Sequence, residues 1–279
     1  MRKIISLLAV TVIVGLMGAT SVFALDFGIN STIQDFVVGS AFPGGVSSPG
    51  NEDNETEPGT TQGQAWDLEG GFFNESVITM VGGYDFLNGQ LYNGTQYYSG
   101  DIFIDLDGDS VQNSSGDQGN YNFEYALRFL DITSPNGPSL QTITLFDLTG
   151  VSTEQDFLYT KDIKWSSPWR VGDNVSGTDT GVGVEFWKLS DTEVAEVGFA
   201  GYNGVDTHYA LQLDLNEVFS SLGGWSAVRG ENNPIFQFTM YCGNDQLRFQ
   251  DPVPEPSTVL LLGIGLVGLF TFGRKQFKK

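Results

Sequence analysis

The chain has 279 residues, 40% hydrophobic and 17% charged, the balance of a folded globular protein rather than a disordered or wholly membrane-embedded one. Its formal net charge is -21, and between the two ends the positive residues are Arg128, Lys161, Lys164, Arg170, Lys188, Arg229 and Arg248; such a body repels phosphate backbones, which excludes nucleic acid as a partner. A single cysteine, Cys242, excludes an intrachain disulfide, and a single histidine, His208, excludes a His-His metal pair.

At the start, Arg2 and Lys3 precede an apolar run from Ile4 to Met17, and Val22-Phe23-Ala24 supplies a cleavage site. This order predicts a signal peptide over residues 1–24, cut after Ala24. The run is interrupted by Gly15 and Gly18 and is short for a membrane span. Residues 25–59 then hold a first strand, Asp26 to Asn30, and a polar stretch from Gly39 whose Pro, Gly, Asp and Glu residues predict an acidic linker.

From about residue 60 to 252 short apolar runs alternate with turn residues, which predicts one all-β domain: a single antiparallel β-sandwich, jelly-roll-like, with long loops and one short helix. Tyr121, Phe123, Tyr125, Leu127 and Phe129 alternate with polar or small residues and give the clearest strand. Phe236, Phe238, Met240 and Cys242 alternate in the same way, which places Cys242 in the core as a small hydrophobe. Further strands are expected over Gln64-Phe72, Ser76-Tyr84, Gly100-Leu106, Gln141-Leu148, Gly183-Leu189, Glu193-Gly201 and Thr207-Leu213. Asn216 to Leu222, stopped by Gly223, predicts the helix.

Two constellations in this domain carry candidate chemistry. Asp105, Asp107 and Asp109 occupy alternate positions where a strand runs into a loop, an arrangement able to turn three carboxylates onto calcium. The loop is no EF-hand, because Ser110 and Gly116 stand where that motif needs Gly and Glu. Trp165 and Trp169 flank Ser166-Ser167-Pro168, a predicted loop, and two loop tryptophans suit a glycan-stacking surface. Trp66 and Trp225 are expected in the core. No nucleophile elbow accompanies His208, and no carboxylate pair stands out by spacing, so the sequence favours a non-enzymatic protein.

At the end, Val253-Pro254-Glu255-Pro256-Ser257 precedes an apolar stretch from Thr258 to Phe272 and a basic terminus, Gly273-Arg274-Lys275-Gln276-Phe277-Lys278-Lys279. Residues 253–279 closely resemble the PEP-CTERM sorting signal. The resemblance implies a Gram-negative bacterium and processing by an exosortase, a membrane protease, near Pro254, Glu255 and Pro256. It also implies an inner-membrane intermediate held by the C-terminal apolar helix, its basic end cytoplasmic by the positive-inside rule, followed by a place at the cell surface, outer membrane or extracellular matrix. A second likeness runs from Trp66-Asp67-Leu68-Glu69 through Gly100-Asp101-Ile102-Phe103-Ile104-Asp105 to Tyr121-Asn122-Phe123-Glu124-Tyr125. It resembles domains of other PEP-CTERM proteins and, more distantly, DOMON-like or carbohydrate-binding sandwiches. Together these imply a carbohydrate-associating module of an exopolysaccharide matrix; the alternatives are a polysaccharide hydrolase or lyase and a purely structural matrix or adhesion protein.

Overall fold

A computed structural model describes residues 26–33, 53–54, 56, 60–110, 121–133, 136–151, 156–162 and 166–252. In chain order the first strands are β1 (Ile29–Asn30), β2 (Leu68–Asn74), β3 (Val77–Gly82), β4 (Gln90–Tyr92), β5 (Thr95–Tyr97), β6 (Ile102–Asp105), β7 (Tyr125–Asp131) and β8 (Ser139–Asp147). They are followed by β9 (Phe157–Leu158), β10 (Arg170–Val171), β11 (Thr178–Asp179), β12 (Glu185–Lys188), β13 (Tyr209–Asp214), β14 (Ile235–Thr239) and β15 (Gln246–Gln250). Helices α1 (Asp191–Val197), α2 (Leu215–Val218) and α3 (Trp225–Arg229) lie between the later strands.

The strands form a five-stranded sheet in the order β1-β2-β3-β13-β12 and a six-stranded sheet in the order β11-β8-β7-β6-β14-β15, with β4-β5 and β9-β10 as separate pairs. The pairings are antiparallel. Side chains from both sheets enter one buried cluster, as the predicted sandwich requires. At its centre Phe236 of β14 stacks on Phe249 of β15 at 5.0 Å and meets Phe73 of β2 at 5.3 Å and Trp225 of α3 at 5.6 Å. The N-terminal segment ties the sheets together: Ile29 pairs with Phe73, while Thr32 bridges to Phe249 and Ile33 N–H donates to the Arg248 carbonyl.

Several predicted elements differ in the structure. Glu193 to Gly201, expected as a strand, begins inside helix α1. Ser190 and Glu193 form a reciprocal capping box at its start, and Gly198 closes it at a φ of 84°; these end signals outweigh the strand preference of Val194 and Val197. The strand expected from Tyr121 starts only at Tyr125, after Asn122 takes a positive φ of 50°, although Tyr121 and Phe123 are buried as the alternation required. Asp53 and Asn54, assigned by composition to a linker, are hydrogen-bonded to Ala200 and Asp67. The predicted helix is split into α2 and a 3-10 turn at Ser220–Leu222. Among the described residues no helix is long and apolar enough to cross a membrane. The signal peptide with Ala24 and the C-terminal apolar stretch lie outside those residues.

Cys242 lies just beyond β14 rather than in it, but is 4% exposed within the main core cluster. Burial pushes its thiol up to about 12, so almost no thiolate exists at pH 8. A thiol-reactive dye is therefore expected to label the native protein very slowly and the urea-unfolded protein rapidly; equally fast labelling of both forms would place the sulfur at the surface.

Candidate functional site

The structure brings together the three aspartates of the predicted calcium loop, with one carboxylate oxygen from each of Asp105, Asp107 and Asp109 within 4.8 Å of the others. Asp105 is buried at the end of β6, whereas Asp107 and Asp109 are exposed. The Asp105 carboxylate already accepts backbone N–H bonds from Gly108 at 2.7 Å and Ser110 at 2.9 Å, with Asp109 N–H at 3.3 Å. These donors offset its charge within the loop itself. Nearby, Glu124 accepts the Leu106 N–H at 2.6 Å. Its burial, with added repulsion from Asp107, Asp105 and Asp109, raises its carboxyl to about 6.

The two tryptophans proposed as a sugar platform do not form one among the described residues. Trp165 lies outside those residues, and Trp169 is 6% exposed, covered by Tyr241 at a ring distance of 4.7 Å. The cause is backbone pairing. Trp169 N–H donates to the Leu158 carbonyl, and the Trp169 carbonyl accepts the Asp101 N–H at 2.7 Å, so the segment lies flat on the start of β6. Gly100 permits the approach, because a Cβ there would stand 2.2 Å from the Trp169 carbonyl oxygen. Trp169 is thus a packing residue, and Pro168 did not carry it into solvent.

A different set of aromatics lines an open cleft of about 560 Å³. Trp66 forms its inner wall, meeting Tyr97 at 5.6 Å and Tyr92 at 5.9 Å in edge-on contacts. Tyr92, at the turn of the β4-β5 hairpin, is 43% exposed. Around these rings stand Thr60, Thr61, Asn93, Thr95, Lys161, Asp162 and Asn244. Two reciprocal bonds fix one wall: Asn244 Nδ2 donates to the Thr61 carbonyl at 2.6 Å, and Thr61 N–H donates to Asn244 Oδ1 at 3.0 Å. On the other side Lys161 Nζ donates to the Tyr97 hydroxyl at 3.2 Å and lies 5.0 Å from the centre of that ring. Trp66 and Tyr97 are buried behind Tyr92, so the arrangement offers one exposed aromatic ring bordered by hydroxyl, amide and single charged groups, which suits a neutral polyhydroxylated ligand. The sequence held the aromatic signal in Trp66, Tyr92 and Tyr97, but four distant segments build the cleft and no spacing links them.

His208 is fully buried beside two buried partners, with its Nε2 3.0 Å from Glu69 Oε1 and 3.2 Å from Gln64 Nε2. Burial opposes its charge, but the hydrogen bond and charge of Glu69 hold His208 above its ordinary imidazole value. The histidine is engaged with a carboxylate and an amide inside the sheet.

Residues 252–275 match the family model of the PEP-CTERM protein-sorting motif, which covers the predicted processing residues Pro254, Glu255 and Pro256, themselves outside the described structure. No curated protein and no solved structure matches the chain. The sorting motif makes the chain an exosortase substrate, exported through a membrane-anchored intermediate to the cell surface or extracellular space.

Proposed function

We propose that the exported sandwich is a non-enzymatic carbohydrate-associating module of an exopolysaccharide matrix, holding a segment of neutral saccharide in the open cleft against the exposed ring of Tyr92. The observation that carries this reading is the cleft itself. A half-exposed tyrosine, backed by the buried Trp66, stands among side-chain hydroxyls and amides, as sugar stacking with hydroxyl recognition demands. The formal charge of -21 argues against capture of an acidic polymer by charge alone.

Replacing Tyr92 with Ala tests the reading. Loss of one stacking ring is expected to weaken retention on the producing cell's own polysaccharide about tenfold. The melting temperature should stay nearly unchanged, because Tyr92 is largely at the surface. Affinity electrophoresis together with a thermal scan measures both. Undiminished retention by Tyr92→Ala would remove the cleft from the binding site, and release of reducing ends from the polysaccharide would replace the binder with a hydrolase.

A further inference from the structure

Glu69 lies where β2 is irregular, since the register against β3 shifts between Leu68 and Gly70. An extra residue at such a bulge has its side chain re-aimed, and Glu69 is turned into the interior with no exposed surface. Its Oε1 accepts from Gln64 Nε2 at 2.5 Å and faces His208 Nε2 at 3.0 Å. Its other oxygen, Oε2, is buried without a hydrogen-bond partner. A buried carboxylate oxygen with no donor is costly to fold around, so something that donates positive charge is called for there.

Two more carboxylates converge on the same place. Oxygens of Asp53, Asp67 and Glu69 all lie within 4.8 Å of one another. Asp67 is fully buried and Asp53 half-buried. Asp67 Oδ2 accepts the Asn54 N–H at 3.0 Å, and Asp53 accepts the Ala200 N–H at 3.2 Å. Within the cluster His208 is paired with Glu69.

We propose that Asp53, Asp67 and Glu69 form a calcium site that fastens the acidic N-terminal segment onto the five-stranded sheet. Calcium takes oxygen ligands at about 2.3–2.6 Å, so two oxygens on one ion stand at most about 5 Å apart, which the observed separations satisfy. The donors are all hard carboxylate oxygens, as calcium prefers over softer metals. Gln64 and His208 hold Glu69 through Oε1 and fix its orientation, leaving Oε2 without a hydrogen-bond partner, the usual service of groups behind a ligand. The Asp105 loop, expected from the sequence to take calcium, is a separate acidic cluster whose buried carboxylate accepts backbone N–H bonds, and substitutions there distinguish its response from that of the buried cluster.

The test uses the full chain in mild detergent, stripped with chelator and then given calcium chloride. Calcium is expected to raise the melting temperature by about 5 °C, because an ion bound only by the folded state stabilises it by mass action. It should also slow hydrogen exchange at the Asn54 amide, which donates into the cluster. Asp53→Asn, at a half-exposed position that spares the core, and Glu69→Gln should each lose both responses. A chain carrying Asp105→Asn and Asp107→Asn should keep them. Identical melting and exchange with calcium and with chelator would overturn the proposal, as would a response that survives Asp53→Asn and Glu69→Gln but disappears with the two loop substitutions.

Discussion

Asp101→Ala is expected to destabilise the sandwich by about 3–5 kcal/mol, the cost of breaking a buried ion pair from one side. Asp101 is 1% exposed and stands where β6 meets the β9-β10 pair. Its carboxylate accepts Arg128 Nε at 2.9 Å, Arg128 Nη2 at 2.8 Å and the Val171 N–H at 2.8 Å, while Arg170 Nε approaches to 3.5 Å. Arg170 is itself buried, and burial already lowers its pKa against the opposing pull of Asp101. Removing the carboxylate leaves two guanidinium groups and a backbone N–H without their acceptor. Arg128 keeps a bond to the Val171 carbonyl and lies over the Phe146 ring, contacts that do not replace the counter-charge. Urea unfolding should give a lower midpoint with an unchanged slope; a loss under about 1 kcal/mol would mean that solvent already screens the pair.

Phe236→Ala is expected to cost about the same, 3–5 kcal/mol, by an unrelated route. The ring is fully buried and touches aromatic neighbours from β2, β15 and α3, so the two sheets and the helix all border the resulting cavity. Because these elements are held by their own ladders, the hole cannot close fully. The partners of Asp101 and those of the Phe236 ring do not overlap, so the two substitutions should add in a double variant. A midpoint shift in Phe236→Ala no larger than that of a surface substitution would contradict the packing described for the sheet interface.

The alternation that announced a sandwich was strong where a strand buries one face, as from Tyr125 to Phe129. For β14 the alternation was equally clear in sequence but understated the burial, because Gln237 is buried along with Phe236 and Phe238 where neighbouring segments cover both faces; Gln237 Nε2 reaches the Ser167 carbonyl at 3.4 Å. Strand β15 was not expected from the sequence, although Leu247 and Phe249 alternate there with Gln246, Arg248 and Gln250. Helix α1 could have been found from Ser190 and Glu193, three positions apart.

Site residues were less legible because their neighbours come from tertiary folding. Asp105, Asp107 and Asp109 are close in sequence and close in space. Asp53, Asp67 and Glu69 meet only because a bulge turns Glu69 inward and the Asn54 N–H pins its segment to Asp67. The Trp169 ring was misplaced for a similar reason: a loop composition indicated exposure, but Gly100 admits the Trp169 backbone against β6 and the ring follows it under Tyr241.

The carbohydrate reading is tested most directly by titrating the isotopically labelled chain with oligosaccharides cut from the producer's own matrix polysaccharide, following each backbone amide by NMR. Saturable shifts concentrated at Thr61, Asn93, Thr95 and Asn244, which line the cleft, and persisting at moderate salt, are the expected result. No shifts at high sugar concentration, or shifts confined to residues remote from Tyr92, would contradict it.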